Sequence, residues 1–78
     1  MNKPTKRSTA FGKRLERART EKGISQRDLE YHLRCAQSSV SRWESGQKYP
    51  KPEMIIKLSI ALGVNAGWLL FGEENKTK

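Results

Sequence analysis

An all-α domain of five short helices is predicted by three observations. Apolar residues recur at helical spacing in five separate windows. Glycine or proline punctuates the junctions between those windows. No window alternates apolar and polar residues as a half-buried strand would. The chain has 78 residues, which allows one domain. A domain that short buries only roughly 60% of the surface its unfolded chain exposes. Beside such a core there is no room for a large enclosed active site.

The elements follow in order. Residues 1–8 are polar, basic and broken by Pro4, and they read as a flexible basic arm. Ser8 or Thr9 is placed to cap a first helix carrying Phe11, Leu15 and Ala18 at helical spacing. Gly12 counts there as a slight weakening. Gly23 ends that helix, with Ile24 as the apolar residue after it. Ser25 opens a second helix, and Ser25 to Asp28 has capping-box spacing. Leu29 and Leu33 are its core pair. A third helix starts near Ala36 or Gln37, turns Val40 and Trp43 inward and closes at Gly46. Pro50 and Pro52 make the next stretch a loop, and Pro52 suits the first turn of a fourth helix. Met54, Ile55, Leu58, Ala61 and Leu62 face inward on it, and Gly63 ends it. Asn65 caps a short fifth helix with Trp68, Leu69 and Phe71, and Gly72 stops it. The expected core is Phe11, Leu15, Leu29, Leu33, Cys35, Val40, Trp43, Ile55, Leu58, Leu62, Val64, Trp68 and Leu69. Residues 9–72 form the domain, and 73–78 are a polar tail where a linker to a further domain would begin.

The charge narrows the partners. Lys and Arg number 16 against 8 Asp and Glu, a formal net charge of +8. The first 22 residues hold eight of those basic residues and only two of the acidic ones. Such a field attracts polyanions, nucleic acid first and an anionic membrane surface second. One cysteine excludes a disulfide within the chain, and one cysteine with one histidine cannot build a structural zinc site. No apolar run approaches a membrane span, and the segment MNKPTKRST lacks the apolar stretch of a secretory signal. The expected setting is the reducing cytoplasm, with no membrane, metal, cofactor or small-molecule substrate.

Two short helices about three residues apart, the second polar on its outer face, describe a helix-turn-helix. The second helix of that unit enters the major groove of DNA. Its outer face here offers Gln37, Ser38, Ser41 and Arg42. Gln pairs twice with the edge of adenine, Arg twice with that of guanine, and Ser is permissive.

Gly23-Ile24-Ser25-Gln26 through Leu29, then Gln37-Ser38-Ser39-Val40-Ser41-Arg42-Trp43-Glu44-Ser45-Gly46 and Pro50, resembles the phage-repressor and Cro-type helix-turn-helix family, the lambda-repressor-like or XRE group. Ala61 through Leu70 resembles its last two helices. The resemblance covers about residues 10–72 and implies a five-helix domain with a central helix-turn-helix. It implies that Gln26 contacts a phosphate and braces the recognition helix. It places Gln37 and Ser38 at the main base-reading positions, with Ser39, Ser41 and Arg42 also in the DNA-facing run. Lys48 and Lys51 fall in the loop beside the sugar-phosphate backbone. Arg19 and Glu44 match a salt bridge between the first and third helices. The region of Ala66, Trp68 and Leu69 matches the place where relatives pair. Two positions depart from the family pattern. Glu30 stands where a small residue is usual, and Arg34 stands where a turn glycine is usual. Their i, i+4 spacing predicts that they pair with each other.

Trp43 and Trp68 are core residues rather than base-stacking platforms. Cys35 is a small buried hydrophobe rather than a nucleophile, because no base is placed for it. Asp28, His32 and the serines do not suggest a hydrolase triad, and His32 is an exposed residue. The expected function is sequence-specific binding of a double-stranded DNA operator by a phage-type repressor, as a weak homodimer on DNA. The alternative is a protein-interaction module, such as an antitoxin or a transcriptional bridging factor. An enzyme is the least expected class.

Overall fold

The structure is a computed structural model that describes residues 3–72. Five helices run in order: α1 (Lys6–Lys22), α2 (Gln26–Leu33), α3 (Ser39–Glu44), α4 (Pro52–Leu62) and α5 (Ala66–Phe71). The all-α, five-helix expectation is met. α1 lies against α3, α4 and α5, while α2 lies against α3 and α4. The expected tail at 73–78 and the first two arm residues lie outside the described residues.

α1 begins earlier than the apolar pattern suggested. Thr5, rather than Ser8 or Thr9, is its cap. The Thr5 hydroxyl oxygen accepts from the Ser8 amide at 3.1 Å. The Ser8 hydroxyl oxygen accepts from the Thr5 amide at 2.8 Å. Two orphan amides are thus satisfied reciprocally by two hydroxyls, a variant of the capping box. Lys6, Arg7 and Ser8, expected in the flexible arm, are therefore helical.

The end of α1 is as expected. Gly23 is left-handed at φ 79°, and the Ile24 amide reaches back to the Arg19 carbonyl. The α2 capping box is present in both directions between Ser25 and Asp28. Pro52 takes the first position of α4, where a missing N–H costs nothing.

Twelve of the thirteen expected core residues are buried. Cys35 is the exception; it is half-buried at the edge, and Ala18 takes a place in the core instead. Trp43 and Trp68 are each 8% exposed, which settles them as packing residues. Burial pushes the Cys35 thiol up, its contact with Ser39 opposes that, and the Glu30 charge adds to it. A raised thiol holds less thiolate, the nucleophilic form.

Gly12 has a structural role that local propensity hides. It is buried where α1 crosses α3. A Cβ placed there would lie 2.6 Å from the Trp43 carbonyl oxygen and 2.7 Å from the Glu44 carbonyl carbon. The helices approach this closely only because position 12 has no side chain. At the other side of α1, Arg14 closes the fold. Its Nε and one terminal nitrogen donate to the Leu69 and Leu70 carbonyls, each at 2.8 Å. Those are C-terminal carbonyls of α5, which have no partner within their own helix. Cationic donors are favourable there.

Candidate nucleic-acid interface

α2, the turn after it and α3 form the helix-turn-helix. The turn is opened by Arg34, which is left-handed at φ 56°. A non-glycine residue seldom occupies that region. It persists here because the Arg34 amide bonds the Tyr31 carbonyl and the Cys35 amide bonds the Glu30 carbonyl. The chain then turns through Gln37 and Ser38 before α3 begins at Ser39.

The start of α3 differs from expectation by two to three residues. Ser38 is left-handed at φ 72° and its hydroxyl caps nothing. That conformation cannot continue a right-handed helix. Gln37 and Ser38 therefore stand in the turn ahead of α3, both exposed, rather than on its first turn. The capping is done from a distance. The Glu30 carboxylate, buried, accepts from the Val40 amide at 3.1 Å. An anion at a helix start satisfies an orphan amide and meets the positive end of the dipole.

This overturns the predicted pairing of Glu30 with Arg34. Glu30 turns inward to α3, and Arg34 is exposed. The departure from a small residue at position 30 thereby acquires a purpose. Removing the carboxylate in Glu30→Ala should leave the Val40 amide buried and unpaired. Such a loss costs about 1–3 kcal/mol. Urea unfolding should show it, with Glu30→Gln recovering most of the difference. An alanine variant as stable as the parent would contradict the capping role.

A second polar cluster holds the other end of α3. Arg19 Nε donates to one Glu44 carboxylate oxygen at 2.6 Å. Its second nitrogen donates to the other oxygen at 3.2 Å. The two side chains are 11% and 5% exposed. Gln26 adds a third donor to the Glu44 carboxylate at 2.8 Å, and Arg19 also donates to the Ile24 carbonyl at 2.8 Å. The hydrogen bond that Arg19 donates to Glu44 raises the Arg19 pKa, against the opposing effect of burial. The guanidinium is permanently charged and bidentate. α1, α2 and α3 thus meet at one carboxylate.

The remaining sequence-predicted residues are distributed as follows. Ser41 and Arg42 are exposed on α3, opposite the buried Val40 and Trp43. Ser39 is half-buried at its start, and its amide bonds the Ala36 carbonyl at 3.1 Å. Lys48 is exposed in the loop after α3, and Lys51 is exposed as the cap residue of α4. The amides of Gln47 and Lys48 both donate to the Arg42 carbonyl, at 3.0 and 3.2 Å. That bond pair fixes the loop to the end of α3. The Gln26 side chain is engaged within the fold, where it braces α3 through Glu44. Trp68 and Leu69, in the expected pairing region, are buried in the chain's own core. The large apolar side chains that α4 and α5 leave exposed are Ile56, Ile60 and Phe71. Among the described residues there is no metal-holding cluster of His, Cys, Asp and Glu, and no helix long and apolar enough to cross a membrane.

Comparison with known proteins agrees with this architecture. A family model described as a helix-turn-helix domain matches residues 12–75. The HTH-type transcriptional regulator DicA of Escherichia coli is 33% identical over 70 residues, covering 90% of this chain and 52% of its own length. The HTH-type transcriptional activator BcrR of Enterococcus faecalis is 36% identical over 64 residues, covering 82% of this chain and 31% of its own. Multiprotein-bridging factor 1 of Candida glabrata is 34% identical over 71 residues, covering 91% and 47%. The chain therefore spans about a third to a half of the length of these curated relatives. Among solved structures, the restriction-modification controller protein C.AhdI from Aeromonas hydrophila superposes with a TM-score of 0.73 at 36% identity. That match covers 78% of this chain and 92% of the other. The fold, the turn geometry and these matches agree that the chain belongs to the helix-turn-helix domain family, in its Cro and phage-repressor (XRE) form.

Proposed function

We propose that the chain is a sequence-specific, double-stranded DNA-binding transcriptional regulator of phage-repressor type, acting in the cytoplasm. One observation carries this reading. Ser41 and Arg42 on α3, and Gln37 and Ser38 in the turn before it, are all exposed, while the other side of α3 is buried and its two ends are tied by carboxylates to α1 and α2. A rigid, polar, outward-facing helix of this kind fits the major groove, which is about 12 Å wide.

In this reading Gln37 and Ser38 reach base edges from the turn, and Ser39, Ser41 and Arg42 continue along α3. Lys48 and Lys51 hold backbone phosphates, and Gln26 braces α3 while lying close to the backbone. Two copies bind half-sites about one helical turn apart. Ile56, Ile60 and Phe71 are then the apolar side chains of α4 and α5 open to that pairing. A prophage-derived HTH-type regulator of Bacillus subtilis, 37% identical over 62 residues, favours the phage-type assignment.

Selection of bound duplexes from a random DNA pool tests the reading, and a palindromic consensus is the expected result. On that consensus Gln37→Ala should cost about 1–3 kcal/mol and relax preference at one base step. Lys51→Ala should weaken all sequences alike and reduce the salt slope by about one. Equal effects of the two changes on selected and random DNA would remove the division of roles. Recovery of no consensus, together with a stable protein partner, would favour a bridging role like that named for the fungal relatives.

A further inference from the structure

An open cleft of about 540 Å³ lies between the beginning of α1 and the loop after α3. Lys3, Arg7 and Lys48 line it together with Thr5, Gln47 and Tyr49, and among the described residues no carboxylate does. Three cations without an acidic neighbour form a site for an anion.

Arg7 is not a freely swinging side chain. Its guanidinium carbon lies 5.7 Å from the centroid of the Tyr49 ring. That ring in turn packs at 5.1 Å on Phe11, which is fully buried. A guanidinium over an aromatic face gains cation–π attraction. It also loses less freedom when it binds a phosphate, because its orientation is already restricted.

The cleft is continuous with the proposed reading surface. The amides of Gln47 and Lys48 bond the Arg42 carbonyl, so the cleft opens where α3 ends. Gly46 packs directly on Thr9 of α1, which holds the two walls together. A DNA strand whose bases face α3 carries its own backbone past that end.

The geometry points to a second DNA contact outside the helix-turn-helix: the cleft of Lys3, Arg7 and Lys48 takes a backbone phosphate flanking the bases that α3 faces. This rests on the regulator reading above. It gives the start of α1 a binding role and extends the footprint beyond the half-site core.

The test uses the full chain and the duplex selected from the random pool, prepared with and without flanking base pairs. Fluorescence anisotropy gives affinity across a salt series. Lys3→Ala with Arg7→Ala should lose about tenfold on the flanked duplex and lower the salt slope by about 0.9, one phosphate contact's worth. On the trimmed duplex the pair should bind like the parent. Arg7→Lys, which keeps the charge but not the planar stack, should keep most of the slope and lose only part of the affinity. Lys22→Ala removes one positive charge at the far end of α1, about 22 Å along the helix from Arg7. It should lose much less on either duplex. Thermal melting of each variant confirms that the fold is retained. The inference is overturned if the double variant binds the flanked duplex like the parent, or loses equally on both duplexes, while Gln37→Ala still relaxes specificity. A parent protein that selects no duplex overturns the regulator reading, and this contact with it.

Discussion

Gly12→Ala is expected to cost about 3 kcal/mol or more, although alanine is the better helix former by about 1 kcal/mol. The added methyl meets the backbone of Trp43 and Glu44, at 2.6 and 2.7 Å. Backbone cannot rotate aside as a side chain can. Relief requires α1 and α3 to separate, and that opens the core around Phe11, Leu15, Val40 and Trp43. Overpacking typically costs 1–3 kcal/mol, and rigid neighbours place this case at the upper end. In a domain of this size each kcal/mol is about 4–8 °C of melting temperature. A fall of about 12 °C or more should appear in a thermal melt followed by circular dichroism. An unchanged or raised melting temperature would show that the helices do not cross this closely.

Glu44→Ala is expected to cost about 3–5 kcal/mol, because it leaves the Arg19 charge buried without its partner. Gln26 loses its acceptor at the same time. That is a large part of the total stability of a small domain. Replacing both partners by apolar residues, as in Arg19→Met with Glu44→Leu, should return most of the loss, since no buried charge is then left. Urea unfolding of the two single variants and the double gives the coupling directly. A Glu44→Ala protein within about 1 kcal/mol of the parent would mean that the pair is solvated in solution.

Much of this fold was legible because its signals are local. Glycine closures at Gly23, Gly63 and Gly72, the Ser25 box and the spacing of apolar residues each lie within one turn of what they determine. The core was legible for the same reason, apart from Cys35, which the turn geometry leaves at the edge. The misplacements share a different cause. α3 starts late because Ser38 is left-handed, and its missing cap comes from Glu30, ten residues earlier and on another helix. Position 30 looked like a charge that needed a neighbour on its own helix, when its neighbour is the amide of Val40. Gly12 was read by helix propensity alone, and Arg14 was counted only within the basic excess of the first 22 residues. Their roles lie at crossings with α3 and α5 that no sequence window contains. The site residues were nameable from the motif, but their backbone settings were not. Gln37 and Ser38 belong to a turn, and Gln26 is engaged with Glu44.

α3 keeps its two kinds of residue apart. Val40, Trp43 and Glu44 carry its attachment to the rest of the molecule, while Ser41 and Arg42, with Gln37 and Ser38 in the turn before it, touch solvent. Exposed substitutions away from caps and networks usually change stability by no more than about 0.5 kcal/mol. Gln37, Ser41 and Arg42 can therefore vary widely in sequence at little thermodynamic risk, whereas the left-handed Ser38 admits few residue types. A lineage carrying this scaffold could drift from one recognition preference to another by point substitution, without passing through unfolded intermediates. The frame would be inherited while its outward vocabulary was rewritten.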